Sequence, residues 1–143
     1  MNTRYLWPLI LLATVTQLHA DSIWIEGEDA TQSEVTRHGW YDSVKKDTLS
    51  GNQWLSHFDA GKPGTATFDF EIAEADSYNF WIRANPLRAS LSYQLDDADA
   101  WSSIDLNRGQ RGKINIASDN KPDLRYICWV KVGSIQLSAG RHR

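Results

Sequence analysis

The stretch Ser77-Tyr78-Asn79-Phe80-Trp81-Ile82-Arg83-Ala84 has an apolar residue at every second position, from Tyr78 to Ala84, and mostly polar residues between them. Successive side chains of a β-strand point to opposite faces, so this alternation predicts a strand with one face in a core. The same period runs through most of the chain after Gly64. The residues predicted to face inward are Ala66, Phe68, Phe70, Ile72, Tyr78, Phe80, Ile82, Ala84, Leu91, Tyr93, Leu95, Ile104, Leu106, Ile114, Ile116, Tyr126, Cys128, Val130, Val132, Ile135 and Leu137.

Turn-forming residues separate these alternating segments. Gly61-Lys62-Pro63-Gly64, Asn107-Arg108-Gly109 and Ser118–Pro122 have the composition of turns or loops. Short strands at regular spacing, without a helical stretch, predict an all-β, antiparallel sandwich of one domain over residues 21–143. The exception is the polar segment 31–50, which has no sustained period and therefore predicts a long loop.

The first twenty residues have the order of a secretory signal peptide. MNTR contains one basic residue and no acid, an apolar stretch of eleven residues follows, and Ala20 ends the segment. Eleven residues are too few to cross a bilayer, which needs about 20, so a retained membrane anchor is the weaker alternative. The sequence thus predicts cleavage after Ala20, no membrane span afterwards, and a secreted, periplasmic or cell-surface protein.

Charge and cysteine content narrow the possible functions. Without the signal segment the chain has a formal charge of −4 and no cluster of basic residues, which argues against nucleic acid as a partner. The single cysteine, Cys128, cannot form an internal disulfide and lies in an apolar run, where a buried, inert thiol is expected. Stability must therefore come from core burial or from a bound metal.

The stretch IWIEGEDA at residues 23–30 raises a question of chemistry. In a straight strand Glu26 and Glu28 would share one face, and three interpretations of them compete. The first interpretation is solvated acids at a strand end. The second is a catalytic acid and base, although nothing else in the sequence supplies a cleft or an environment that would separate their pKa values. The third is a pair of calcium ligands, because calcium prefers carboxylate and carbonyl oxygens without strict geometry.

Aromatic and polar residues of the long loop suit a sugar. Trp40 and Tyr41 offer flat apolar surfaces, and Asp42 and the later loop residue Asn120 offer polar groups, the combination that selective pockets use. Lys45 and Lys46 lie nearby in sequence. The alternative is that Trp40 closes the open end of the core.

A second aromatic surface follows from the alternation itself. Trp81 and Trp129 fall out of phase with the inward set, as do Arg83 and Lys131 beside them. They are predicted to stand on an outer sheet face, where they could contact a glycan or be covered by the loop or another domain. The remaining tryptophans, Trp24, Trp54 and Trp101, are predicted to lie in strands and pack in the core or at its rim.

No other motif predicts chemistry. His38 and His57 lack a third ligand at metal spacing, which argues against zinc. The chain also lacks a phosphate-binding glycine loop, a nucleophile elbow and a cysteine–histidine pair.

The order of motifs resembles a known family. IEGEDA, GNQWLSHF, SYNFWIRAN and IQLSAGRH follow one another as in carbohydrate-binding modules of families 6 and 35, which have the galactose-binding-like jelly roll. The resemblance implies a structural calcium held by Glu26 and Glu28, and a glycan site at the loop end built from loop aromatics and an asparagine. Family members continue past the last motif into one more strand that carries a further calcium ligand. The resemblance therefore implies a chain cut short, a calcium site without that ligand, and a missing enzyme or surface-protein domain. We expect the 143-residue chain to be less stable than a version extended by one strand.

These observations favour a secreted, non-catalytic module that binds a poly- or oligosaccharide. The first alternative is a structural or interaction sandwich of an exported protein, without a sugar site. The second is a small lyase or hydrolase, against which stands the lack of a convergent catalytic set.

Overall fold

The computed structural model describes residues 22–37, 39–59, 61–87 and 89–143, with only the backbone of Trp40 and Tyr41. The signal segment predicted at residues 1–20 lies outside the described residues. Nine strands occur in these ranges: β1 (Gln32–Glu34), β2 (Thr65–Thr67), β3 (Phe70–Ile72), β4 (Asp76–Ala84), β5 (Leu91–Tyr93), β6 (Ser102–Ile104), β7 (Arg111–Asn115), β8 (Tyr126–Leu137) and β9 (Gly140–His142). Four short 3-10 turns lie between β1 and β2 or before β1, at Gly27–Asp29, Gly39–Asp42, Lys46–Thr48 and Ser50–Asn52.

All strand pairs are antiparallel. The largest sheet has the order β4-β8-β7, and the other pairs are β1-β2, β3-β9 and β5-β6. The described ranges contain no α-helix, and none of their helical segments is long and apolar enough to cross a membrane. The prediction of an all-β, antiparallel fold is therefore confirmed.

The alternation of β4 and β8 produces the main core. Phe80, Ile82 and Ala84 of β4 pack against a buried cluster that β8 shares with the β6 region. That cluster consists of Ile104, Leu106, Cys128 and Val130. Each fully buried aliphatic side chain of this kind stabilises the fold by about 1.5–3 kcal/mol. Burial also raises the pKa of the Cys128 thiol, as expected for an inert cysteine.

A second buried cluster lies under the long loop. Val44 and Leu49 of the loop pack against Ile116 and Ile127, with Trp54 at the margin. Ile127 alternates with Cys128 along β8, so this cluster covers the opposite face of the same strand. One strand thus has a core on each side.

Ile114 departs from the predicted inward set. It lies opposite Ile127, on the loop side of the sheet, and is 39% exposed. The register between β7 and β8 shifts between Arg111 and Ile114, and Gly112 there has a positive φ of 58°. Such an irregularity changes the face on which the following residues lie, so the prediction for Ile114 was wrong.

The predictions for three tryptophans also need correction. Trp24 and Trp101 are each 58% exposed, and neither belongs to a strand. Trp54 is outside the strands as well, but it is half-buried against the loop cluster, as predicted for the core rim. Local alternation could not place these residues because they lie in irregular segments.

The segment before the first 3-10 turn is extended but unpaired in the described part of the chain. Residues 22–26 form no strand, and Ile23 and Ile25 are exposed like Trp24. A groove of about 340 Å³ separates this segment from Phe68 and Phe70. The ring of Trp24 nevertheless meets Trp129 of β8 edge to face, with 5.5 Å between the ring centroids, which holds the segment against the sheet.

Candidate functional site

Two loops meet at one end of the β7–β8 pair. Val44 forms a β-bridge with Ala117, and the backbone N–H of Lys45 donates to the carbonyl of Ile116 over 2.7 Å. The ammonium of Lys45 also donates to Oδ1 of Asn120 over 2.5 Å. The structure therefore brings Asn120 beside the loop that contains Trp40, Tyr41 and Asp42, as a common site would require.

A buried arginine fixes this junction. The Arg125 side chain is 5% exposed and donates to both oxygens of Asp123, to Asp119 over 2.7 Å and to the carbonyl of Ser43 over 2.7 Å. Hydrogen bonds to two carboxylates and a carbonyl satisfy a group that would be costly to bury alone. The contact with Ser43 ties the long loop to the later one, so Arg125 positions the loop end of the fold.

The charges around Arg125 shift one another's pKa. The Asp123 hydrogen bond raises the pKa of Arg125, and the reciprocal bond lowers that of Asp123 below its ordinary 3.8. Desolvation works to raise the pKa of Asp119, but hydrogen bonds from Lys121 and the charges of Arg125 and Lys121 outweigh it, so that this pKa is also lowered. All three groups are therefore ionised at neutral pH.

A cleft of about 260 Å³ opens beside the junction. Its apolar part comes from the loop cluster, and its polar part includes two cations and two side-chain amides. The lining residues are Arg37, Val44, Lys46, Leu49, Gly51, Asn52, Gln53 and Trp54. This combination of an aromatic ring, amides and cations is what a polar, ring-shaped ligand needs.

Only part of this cleft was expected from the sequence. Trp54 and Gln53 belong to GNQWLSHF, a motif that carried the family resemblance, but they were not singled out as ligand contacts. Asp42 pairs with Arg37, a lining residue, which places the predicted Asp42 at the border of the cleft. The side chains of Trp40 and Tyr41 lie outside the described residues, so their roles stay predictions.

The two predicted metal ligands converge on one turn. Glu26 accepts a hydrogen bond from Ser50 Oγ over 2.9 Å, and a Cβ on Gly51 would overlap Glu28 Oε1. Gly51 has a φ of 62°, which favours glycine, and its missing side chain leaves the room that Glu28 uses. Both carboxylates therefore face the Ser50–Asn52 turn.

The reason for this convergence differs from the predicted one. Residues 27–29 form a 3-10 turn, so Glu26 and Glu28 do not share the face of a straight strand. Glu26 precedes the turn with extended angles, φ −79° and ψ 140°, and its second oxygen accepts from Trp24 Nε1 over 2.6 Å. The strand argument was wrong, although its result, two neighbouring carboxylates, holds.

The convergent pair fits a cation only in part. Two carboxylates and a hydroxyl are oxygen donors of the kind that calcium prefers, but calcium takes six to eight oxygens. Across residues 22–37, 39–59, 61–87 and 89–143 no group of three or more His, Cys, Asp or Glu side chains converges as a metal site.

His57 has a structural contact on each ring nitrogen. Its Nδ1 accepts from the backbone N–H of Thr36 over 3.0 Å, and its Nε2 lies 2.9 Å from the carbonyl of Lys62. These bonds require the neutral Nε2–H tautomer and connect two loop segments. His38, the other histidine considered for zinc, lies outside the described residues.

The chain matches no protein-family model, no curated protein and no solved structure. The resemblance to carbohydrate-binding modules therefore depends on the motifs alone.

Proposed function

We propose that this protein is a secreted, non-catalytic carbohydrate-binding module on a jelly-roll sandwich. The observation that carries the proposal is the cleft beside the loop junction, which borders the turn containing Trp40 and Tyr41. Its 260 Å³ is just below the roughly 300–1,000 Å³ of small-molecule sites. A site of that size suits one sugar unit or the end of a glycan rather than a long segment.

The roles of the cleft residues follow from sugar chemistry. A pyranose presents weakly apolar C–H groups to an aromatic ring and hydroxyls to amides and charged groups. We assign the stacking role to Trp54, which lines the cleft, and to Trp40 and Tyr41 of the neighbouring turn. We assign the hydroxyl contacts to Asp42 and Asn120, which lie beside the cleft. The buried Arg125 holds the two loops at fixed separation, so little ordering entropy would be lost on binding.

A glycan array followed by loop variants tests the proposal. We expect the wild-type chain to bind a defined group of glycans, and Trp40→Ala or Tyr41→Ala to lose that binding while the melting temperature is kept. Trp101→Ala removes an equally large, exposed ring elsewhere and should bind normally. A silent array with a folded protein would contradict the proposal and favour a structural or interaction domain.

We propose a structural calcium at Glu26 and Glu28. The convergence of both carboxylates on the Ser50–Asn52 turn supports it, because a cation there would tie the N-terminal segment to the long loop. The ion would stabilise the fold and take no part in chemistry. Calorimetric titration should give calcium binding to the wild type that Glu26→Gln and Glu28→Gln each weaken; no heat of binding in the wild type would refute it.

A further inference from the structure

The sheet β4-β8-β7 has an outer face without acidic residues. Directly paired residues share a face, and Arg83 of β4 and Arg111 of β7 both pair with Trp129 of β8. Trp81 pairs with Lys131 in the next row. This outer face is formed by Trp81, Arg83, Arg111, Trp129 and Lys131, and it continues toward the strand ends with Ser77, Asn79, Ser134 and Gln136.

The tryptophans and cations of the outer face form one continuous surface. The Arg111 guanidinium lies 5.4 Å from the centroid of the Trp81 ring, so it reaches across β8. Trp129 meets the exposed ring of Trp24. Both Trp81 and Trp129 are half-buried, whereas Arg111 and Lys131 are exposed. The surface therefore offers flat rings at its base and positive charges that point outward.

The charge of this face contrasts with that of the chain. The whole sequence has 18 acidic and 15 basic residues, yet the outer face has three cations and no carboxylate among its paired residues. In the described part of the chain neither Arg111 nor Lys131 forms an ion pair with an acid. Glu26, which bonds to Trp24, is the acid at its margin. Cations without an acidic partner, beside aromatic rings, are complementary to an anionic, ring-containing ligand.

Among the described residues, the long loop contacts this surface at the end beside Trp129. Arg83 donates to the carbonyl of Thr48 over 3.1 Å, which joins the loop to the face beside Trp129. The other end extends through the hydrogen-bonded pair Ser134 and Asn79 to the end of the strands. From Trp129 to Gln136 this is roughly 20 Å at about 3.3 Å per residue. Such a strip suits an extended chain with repeated rings.

We infer that this outer face binds an anionic polysaccharide, with sugar rings on Trp81, Trp129 and Trp24 and carboxylates on Arg111 and Lys131. The surface lies on the sheet and does not use the cleft proposed above. Hydroxyl and amide groups of Ser134 and Asn79 contact the sugar hydroxyls. Single-stranded nucleic acid has the same combination of rings and charges, but domains that bind it are typically basic, whereas this chain has 18 acidic and 15 basic residues.

Affinity electrophoresis with one polymer in two charge states tests this inference. Polygalacturonate carries the carboxylates, and its methyl-esterified form has the same chain without the charges. We expect retardation by polygalacturonate at least about tenfold stronger than by the ester, and weaker at about 1 M salt, where the screening length falls to about 3 Å.

Surface variants locate the binding. Lys131→Gln and Arg111→Gln together should weaken retardation by polygalacturonate about tenfold or more, whereas Lys62→Gln, an exposed lysine of a loop, should not. Trp40→Ala should leave it unchanged, which separates this face from the cleft. Trp81→Ala should also weaken retardation, but it removes a half-buried ring and could unfold the sheet. Lys131→Gln alone changes only an exposed side chain, so weaker retardation of that variant by polygalacturonate would still locate binding on the outer face.

Three results would overturn the inference. The first is equal retardation by polygalacturonate and its ester. The second is unchanged retardation in the double variant. The third is tighter binding of a single-stranded oligonucleotide than of polygalacturonate.

Discussion

The two faces of β8 are built in different ways. The inner face carries Cys128 and Val130, which pack between strands with a regular period. The outer face is divided, because Ile127 is covered by the irregular long loop while Trp129 is flanked by cations. The inner cluster consists of apolar side chains, whereas the loop is held by the polar contacts of Arg125 as well as by its apolar cluster. The residues that line the cleft lie in the irregular loop, where no ladder fixes the backbone, whereas the tryptophans and cations of the outer face lie on the paired strands β4, β7 and β8.

Matched core truncations should have the largest effects. Ile104→Ala in the inner cluster and Ile116→Ala in the loop cluster should each cost about 2–5 kcal/mol, since both remove a buried aliphatic side chain. Denaturant unfolding measures the loss. Limited proteolysis should cut residues 39–54 faster in Ile116→Ala only. A cost below about 1 kcal/mol for Ile116→Ala would mean that the loop cluster is not a true core.

Arg125→Met should produce the next largest effect. It removes the guanidinium donors to Asp119, Asp123 and the Ser43 carbonyl, and takes away the paired cation of Asp123, while Asp119 keeps its ion pair with Lys121. We expect the melting temperature to fall by on the order of 10 °C. Arg37→Met is the control, because its side chain is 62% exposed and its pair with Asp42 should contribute almost nothing. Equal falls for both variants would contradict the positioning role of Arg125.

Alanine substitutions at two glycines with similar backbone angles measure the contribution of the Glu28 contact. Gly51 and Gly109 have φ of 62° and 66°, so an alanine at either costs about 1–2 kcal/mol for the left-handed backbone. A Cβ on Gly51 would also displace Glu28, whereas one on Gly109 meets nothing within 4 Å. Gly51→Ala should therefore lower the melting temperature more and reduce its rise with calcium. Identical behaviour of the two variants would show that Glu28 does not contact the Ser50–Asn52 turn.

The smallest effect should be a pH dependence at the end of β9. Bonds to the carbonyl of Ser138 and to Asp96 raise the pKa of His142 above 6.5, and the His142 bond lowers the pKa of Asp96 below 3.8. Protonated His142 thus stabilises the fold below pH 6.5, and this is lost as the pH rises through its raised pKa. Ionised Asp96 stabilises above pH 3.8, and this is lost as the pH falls through its lowered pKa.

Thermal melts at several pH values measure this dependence. The His142 contribution should be greatest between about pH 4 and 6.5. His142→Gln should flatten the plot of melting temperature against pH in that range, whereas Ile104→Ala should lower the melting temperature at every pH and keep the shape of the wild-type plot. A wild-type profile that rises steadily to pH 8 would contradict the assignment.

Strand segments were predictable where alternation was regular. Phe80, Ile82, Cys128 and Val130 lie in the core as their period indicates. The prediction failed at Ile114, because a register shift is set by tertiary pairing and has no signal in local hydrophobicity. It also failed for the exposed Trp24, since an aromatic residue in an extended segment looks the same whether or not that segment is paired.

The candidate site was only partly predictable. The pairing of Asn120 with Lys45 joins residues far apart in the chain and brings the long loop and the later loop together. The role of Arg125 was missed, although its closely spaced acids, Asp119 and Asp123, were visible in the sequence. Charged residues in a polar loop usually face solvent, so burial of an arginine there cannot be inferred without coordinates. The glycan itself stays a prediction.

Amide chemical-shift mapping tests the central claim most directly. An oligosaccharide selected by the glycan array is titrated into the labelled protein. The account predicts shifts in the two meeting loops, over residues 39–54 and 117–121, with little change in the β5–β6 pair. Shifts confined to β5 and β6, or none at saturating ligand, would contradict it.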